Sequence, residues 1–131
     1  SPRNTLIGHA VGAGAGYLSL VVTGLTLAGP ALAIGVTWPR VIAAALSLGL
    51  TAGIMVLLRA PHPPAGATTL IVSLGLLTRP WQLALLMGAV VVLTLQALVI
   101  NRLAGIPYPV WGPLRPSTRD ADGSSHARST P

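Results

Sequence analysis

The chain contains no cysteine and no phenylalanine, its basic residues are all arginine, and its only acidic residues are Asp120 and Asp122. Without cysteine the protein has no disulfides, no thiolate metal sites and no cysteine nucleophile. Residues 1–119 lack Asp and Glu, so they offer neither the paired carboxylates of acid–base catalysis nor carboxylate metal ligands. Two separated histidines, His9 and His62, do not make a metal site. We therefore predict that the protein is not an enzyme and that it binds no metal and no cofactor.

Charged residues are scarce, at 8% of the chain against 52% hydrophobic residues, and the mean hydropathy is +0.73. A soluble domain is typically about one quarter charged, because its surface faces water. The net charge of +6 comes from arginines that stand singly beside apolar segments. Nucleic-acid-binding proteins instead cluster basic residues on a polar face, so nucleic acid is disfavoured as a partner. The composition predicts an integral membrane protein whose main partner is the lipid bilayer.

The arginines divide the hydrophobic part at intervals close to the thickness of a membrane. A spanning helix needs about 20 mostly apolar residues. Stretches free of Asp, Glu, Lys and Arg occupy residues 4–39, 41–58, 60–78 and 80–101. We predict an all-α fold, a polytopic bundle of membrane helices, with three full crossings at Leu6–Ala28, Val41–Leu58 and Trp81–Leu103. Arg40 and Arg59 bracket the second crossing, and we expect their stems to snorkel outward to water.

Prolines break the segment between the second and third crossings. Pro61, Pro63 and Pro64 disfavour a helix, because each lacks the backbone N–H that a helix interior uses. The stretch Ala65–Leu77 that follows is too short for a full crossing and has the length expected of a re-entrant segment. The bundle is therefore predicted to contain a half-helix that begins behind a rigid turn at membrane depth.

The start of this half-helix is a candidate anion site. Backbone amides at a helix N-terminus and the helix dipole both favour negative charge. Gly66, Ala67 and Thr68 are predicted to present free amides, and the hydroxyls of Thr68 and Thr69 can donate further hydrogen bonds. In the alternative interpretation the turn is only rigid, and His62 caps a neighbouring backbone carbonyl.

Basic and polar residues on both sides of the turn complete the candidate site. Arg59 and His62 lie beside the half-helix and add positive charge. His9, preceded by Arg3 and Asn4, falls inside the first predicted helix, where a polar side chain is costly without a partner and so hints at function. A histidine near a helix end is equally consistent with a satisfied interfacial residue.

A stripe of small residues marks one face of the first helix. Gly8, Gly12 and Gly16 are spaced four apart, which places them on the same side of the helix. In lipid such a stripe lets two helix backbones approach closely. We predict that this face packs against another helix; the alternative is that it lines a pore.

The composition changes abruptly at Pro113. Residues 113–131 are rich in Ser, Thr, Pro and charge and contain one aliphatic residue larger than alanine. Such a segment buries too little apolar area to offset its ordering entropy. We predict a transmembrane domain over residues 1–112 and a disordered basic and polar tail over residues 113–131.

The string HPPAGAT at residues 62–68 resembles the signature of the HPP family of integral membrane proteins. The opening PRNTLIGH at residues 2–9 is similar to that family's Pro-Arg-Asn stretch and Gly-His pair. The resemblance covers about residues 2–112 and implies a four-helix domain of two similar halves, each with a helix, a half-helix and another helix. Some members are nitrite transporters of plastids and cyanobacteria. Against that pattern, we expect the first helix and the first half-helix to be missing here.

The leading hypothesis is a transporter or channel for a small monovalent anion, possibly nitrite, in a bacterial inner or plasma membrane with a cytoplasmic tail. The alternative is a non-transporting membrane scaffold or partner subunit, in which the turn is only a fold element. A homo-oligomer is compatible with either hypothesis. The predicted binding residues are Arg3, Asn4, His9, Arg59, His62, Pro63, Pro64, Gly66, Ala67, Thr68 and Thr69.

Three crossings place the two ends of the chain on opposite faces of the membrane. Single cysteines introduced by Ser1→Cys and Ser125→Cys should therefore be labelled from opposite sides by a membrane-impermeant thiol reagent, with Ser125→Cys reached from the cytoplasm. The native chain has no cysteine to give background labelling. Labelling of both sites from one face contradicts three crossings and favours the alternative, four crossings with an inward N-terminus, which fits the arginine count about as well.

Overall fold

The computed structural model describes residues 1–106, and the predicted tail at 113–131 lies outside them. These residues form four long or medium helices and one short connecting helix. The helices are α1 (Pro2–Val22), α2 (Ala31–Ile34), α3 (Trp38–Leu57), α4 (Ala65–Ser73) and α5 (Pro80–Leu103). α1 packs against α3, α4 and α5, and α3 also packs against α4. Five of the nine residues of α4 are buried.

Three of the helices confirm the predicted all-α membrane bundle. α1, α3 and α5 have 21, 20 and 24 residues and are apolar enough to cross a membrane. α4 has nine residues, which gives a length of about 14 Å at the usual rise of 1.5 Å per residue. It is therefore too short to cross and is held inside the bundle by α1 and α3.

Two helices, α1 and α4, end earlier than their apolar runs suggest, because glycines stop them. α1 ends at Val22 rather than Ala28, since Gly24 adopts φ +70°. Its N–H donates to the Val21 carbonyl at 3.2 Å, and the Leu25 N–H donates to the Leu20 carbonyl at 2.8 Å. This Schellman motif satisfies carbonyls that a helix end otherwise leaves open.

α4 ends by the same device. Gly75 has φ +84°, and the next residue, Leu76, donates its N–H to the Ile71 carbonyl at 3.1 Å. α4 therefore ends at Ser73 and not at the predicted Leu77. Because the residues after Gly75 are also apolar, hydropathy does not indicate where the helix ends, and the predicted end is four residues late.

The glycine stripe of α1 packs against another helix, α4, as predicted, and also against the turn at residues 58–64, which we call the HPP turn. A Cβ at Gly8 would lie 2.7 Å from Cβ of His62, and one at Gly12 would lie 2.7 Å from the Ala65 carbonyl oxygen. A Cβ at Gly16 would lie 2.8 Å from Cβ of Val72. Only glycine permits this distance between the two backbones.

The prediction that Arg40 snorkels to water is wrong. The side chain is 1% exposed, and its Nη1 donates to the Ser73 carbonyl at 3.1 Å while Nη2 donates to the Gly29 carbonyl at 2.7 Å. The C-terminal end of α4 carries partial negative charge and open carbonyls. These attract the guanidinium inward, and Arg40 becomes the cap of a short buried helix.

Substitution of Gly12 by alanine should destabilise the bundle, because the added methyl group meets the backbone of α4. The expected cost is about 1 to 3 kcal/mol, as for overpacking of a filled core. Gly14 is the matched control: it lies on the same helix, is exposed, and has no atom within 4 Å of an added Cβ. Gly14→Ala should instead be neutral or stabilising by up to about 1 kcal/mol. Thermal unfolding in detergent compares the two; equal melting temperatures contradict the packing.

Candidate functional site

Two histidines from distant parts of the chain meet at the start of α4. Nε2 of His9 and Nε2 of His62 are 3.3 Å apart, and the rings are edge to face, with centroids 5.0 Å apart and planes at 68°. His9 lies on α1, and His62 lies in the turn between α3 and α4. The contact exists because His62 rests on Gly8, the residue before His9, where a side chain would obstruct it.

Thr68 extends the histidine pair into α4. Its Oγ1 lies 2.6 Å from Nδ1 of His9, and its side chain is almost fully buried. Thr68 is the fourth residue of α4, so its hydroxyl lies one turn inside the helix. The three side chains form a continuous chain of hydrogen-bonding atoms from the turn to the interior of the bundle, and we call it the His62–His9–Thr68 network.

Thr69 belongs to a different contact. Its Oγ1 donates to the Ala65 carbonyl at 2.9 Å and lies 2.9 Å from Oγ1 of Thr51 on α3. The same oxygen would lie 2.9 Å from a Cβ at Gly12. Thr69 therefore joins α4 to α3 and α1, and the structure does not bring it to the histidine pair.

The prediction of free amides at Gly66 and Ala67 is wrong. The N–H groups of Ala65, Gly66 and Ala67 each donate to the carbonyl three residues earlier, at 3.0 to 3.1 Å. The acceptors are His62, Pro63 and Pro64, so the turn itself supplies the missing partners of the first helical amides. Pro63 and Pro64 have no N–H of their own. What remains at this helix end is the dipole rather than open donors.

Two cavities meet the histidine pair from different elements. One of about 380 Å³ is lined by Arg59, Pro61, His62 and Pro63 together with the end of α3. The other, of about 220 Å³, lies between α1 and α5 and is lined by Thr5 and His9 together with Val90, Leu93, Thr94 and Ala97. A further cavity of about 450 Å³ contains Arg79 and none of the predicted site residues.

Arg59 lines the first cavity and has an unusual backbone conformation. It is exposed and has φ +49°. It occupies the position after the α3 cap, where its N–H donates to the Val56 carbonyl at 3.1 Å and Ala60 donates to the Met55 carbonyl at 3.1 Å. Glycine usually fills this position, and another residue there is strained by about 1 kcal/mol or more.

Five other predicted residues, Arg3, Asn4, Pro63, Pro64 and Ala67, and also Gly66, make no hydrogen bond to the network within the described part of the chain. Arg3 and Asn4 are half-buried in the first turn of α1, and no hydrogen bond within residues 1–106 joins them to the histidines. Pro63, Pro64 and Ala67 are exposed, and Gly66 faces Leu48 of α3.

Two further residues were not predicted from the sequence. Thr5 lines the second cavity with His9, and its position four residues before His9 already placed both on one helix face. Thr51 had no signal of its own: a threonine in an apolar helix often bonds its own backbone, and its partner Thr69 is 18 residues away.

The surroundings of His62 disfavour its charged form. Burial lowers the pKa of His62 below the ordinary histidine value, and the positive charge of His9 lowers this pKa further. No third His, Cys, Asp or Glu joins the two imidazoles within residues 1–106. The two histidines therefore form a hydrogen-bonded pair whose charged form lacks a counter-ion among the described side chains.

Residues 1–109 match the family described as HPP, transmembrane region. The match includes every predicted site residue and all five helices of the structure. No curated protein and no solved structure is a match for the chain.

Acidification should destabilise the empty protein through His62. The unfolded chain has the higher His62 pKa, so it binds the proton first; stability therefore falls as pH drops below about 6.5, the ordinary histidine value. Melting temperatures in detergent at pH 5.5 and 7.5 measure this. His62→Gln should reduce the difference between them, and an unchanged difference in that variant contradicts the assignment.

Proposed function

The chain belongs to the HPP transmembrane family, and from that premise we propose that it is a transporter or channel for a small monovalent anion such as nitrite. Some members of the family transport nitrite, which makes transport the expected activity of a related membrane domain. Three helices are long and apolar enough to cross a membrane, and the proposed binding site lies among them at the start of α4. In this proposal the tail at 113–131 lies on the cytoplasmic side.

The charge of the membrane domain supports an anion rather than a cation. Residues 1–106 carry five arginines and no acidic side chain. A cation near the HPP turn would meet only positive charges and dipoles of unfavourable sign, whereas an anion is attracted by both. The positive end of the α4 dipole lies beside the two histidines and adds to this preference.

The position of the histidine pair between two cavities is the observation that carries the proposal. His62 lines the cavity at the end of α3, and His9 lines the cavity between α1 and α5. The two rings that line these cavities are in contact through their Nε2 atoms. An anion that passes from one cavity to the other would exchange its water for imidazole and hydroxyl donors at this point.

We assign different tasks to the residues of the proposed site. Arg59 attracts the anion into the first cavity, and His62 holds it there. His9 and Thr68 donate on the inner side, while Arg3 and Asn4 contribute attraction from the first turn of α1. Pro63 and Pro64 fix the turn, so that the α4 dipole and His62 keep their direction.

Anion uptake by proteoliposomes tests the proposal. Nitrite should enter vesicles that contain the protein faster than protein-free liposomes, which report the leak of protonated nitrous acid. His62→Gln should lower the rate and flatten its dependence on pH, and Pro64→Ala should lower it more, because the turn loses its fixed geometry. His126→Gln, a histidine outside the described residues, is the matched control and should keep the parental rate.

The scaffold alternative gives a different result in the same measurement. A scaffold leaves uptake at the level of protein-free liposomes for every variant. Uptake that is faster than the leak but unaffected by His62→Gln and Pro64→Ala supports transport and contradicts the proposed binding site.

A further inference from the structure

The contact between the two histidines holds one proton. At 3.3 Å, the two Nε2 atoms are within hydrogen-bond distance, so one must carry a hydrogen and the other a lone pair. Two hydrogens would collide in this space, and two lone pairs would repel each other. The pair therefore titrates as one unit rather than as two independent histidines.

The second ring nitrogen of His9 determines how the pair can accept an extra proton. Nδ1 of His9 lies 2.6 Å from Oγ1 of Thr68, a hydroxyl that can donate or accept. If His62 carries hydrogen on both ring nitrogens, its Nε2–H donates to Nε2 of His9, and the Nδ1–H of His9 donates to Thr68. Every hydrogen bond of the network is then kept, so the rings need not move when the proton binds.

The charged pair has one N–H left for a ligand. The hydrogen bonds within residues 1–106 engage Nε2 of His62 and leave its Nδ1 without a partner. The His62 ring also lines the 380 Å³ cavity together with Arg59. An anion in this cavity can accept a charge-assisted hydrogen bond from Nδ1–H of His62, the stronger class of such bonds.

The charges around the pair make an anion the missing partner of this proton. On the side of α3, the positively charged Arg59 lines the same cavity as His62. α4 contributes the neutral Thr68. α5 contributes no titratable group to the cavity beside His9. A proton on the empty pair is therefore unfavourable, and a bound anion removes the penalty.

We propose that one proton binds together with each anion, the proton on the His9–His62 pair and the anion against Nδ1–H of His62. This inference rests on the proposed anion transport and specifies its substrate as an anion plus a proton. The proton comes from water and no covalent bond to the anion forms or breaks. The loaded site has the same net charge as the empty one, so transport of the unit moves no net charge across the membrane.

Proton uptake on anion binding tests this directly. Purified protein in detergent, in a weakly buffered solution near neutral pH, is titrated with sodium nitrite while a pH indicator records protons taken up. We expect one proton for each bound anion, and an affinity that falls up to about tenfold for each unit of increase in pH. Detergent without protein provides the blank.

Substitutions of the two histidines test whether the proton binds to the pair. His62→Gln should bind nitrite more weakly and without proton uptake, and His9→Gln should lower the uptake because His62 loses its acceptor. His126→Gln is the matched control, since it removes the same ring elsewhere and should retain one proton per anion. Retained circular dichroism shows that each variant is folded, and the result for the parent protein stands even where a variant fails to fold.

The outcomes separate this inference from the proposed function. Nitrite binding without proton uptake overturns the shared proton and leaves anion transport standing. Proton uptake that persists in His62→Gln also overturns it, because the proton then resides elsewhere. Absence of nitrite binding in the parent protein, together with absence of uptake by proteoliposomes, overturns both.

Discussion

The close approach of α1 to the HPP turn and α4 is the contact on which the rest of the structure depends. Lipid tails are as apolar as leucine, so helices in a membrane associate through van der Waals contact and hydrogen bonds rather than by hydrophobic burial. Gly12 and Gly16 bring the backbones together. The bond between Thr69 and Thr51 then ties α4 to α3 on the other side. Gly8 has a second consequence, because it lets His62 reach His9.

A short helix inside a membrane bundle must satisfy both of its own ends. Unpaired backbone groups in lipid cost several kcal/mol each. At the N-terminal end of α4, Pro63 and Pro64 remove two donors and provide carbonyls for the next amides. At the C-terminal end, Arg40 donates to Ser73, and the Ala31 N–H donates to the Leu74 carbonyl at 2.9 Å. The first residue of the short helix α2, Ala31, thus supplies a hydrogen-bond donor to the C-terminal end of α4.

The parts of this fold that follow from local sequence could be predicted. The contacts between residues far apart in the sequence could not. Arginine spacing predicted the three crossings, and the four-residue spacing of Gly12 and Gly16 predicted a packing face. His9 and His62 were each singled out, but 53 residues separate them and only the tertiary fold shows that they touch. Arg40 was misjudged because the sequence does not show that the carbonyl end of α4 lies beside it.

The conformation of Arg59 connects stability with the proposed function. α1, α4 and α5 end with glycine at the left-handed position, at Gly24, Gly75 and Gly105, whereas α3 has Arg59 there. Glycine at residue 59 would relieve the strain, so stability alone does not explain the arginine. Arg59 lines the cavity that His62 also lines. In the proposed function, the positive charge of Arg59 beside that cavity would attract anions, because residues 1–106 carry no acidic side chain. The strain at Arg59 thus lies where the proposed site needs charge, a pattern that local rules of helix termination do not predict.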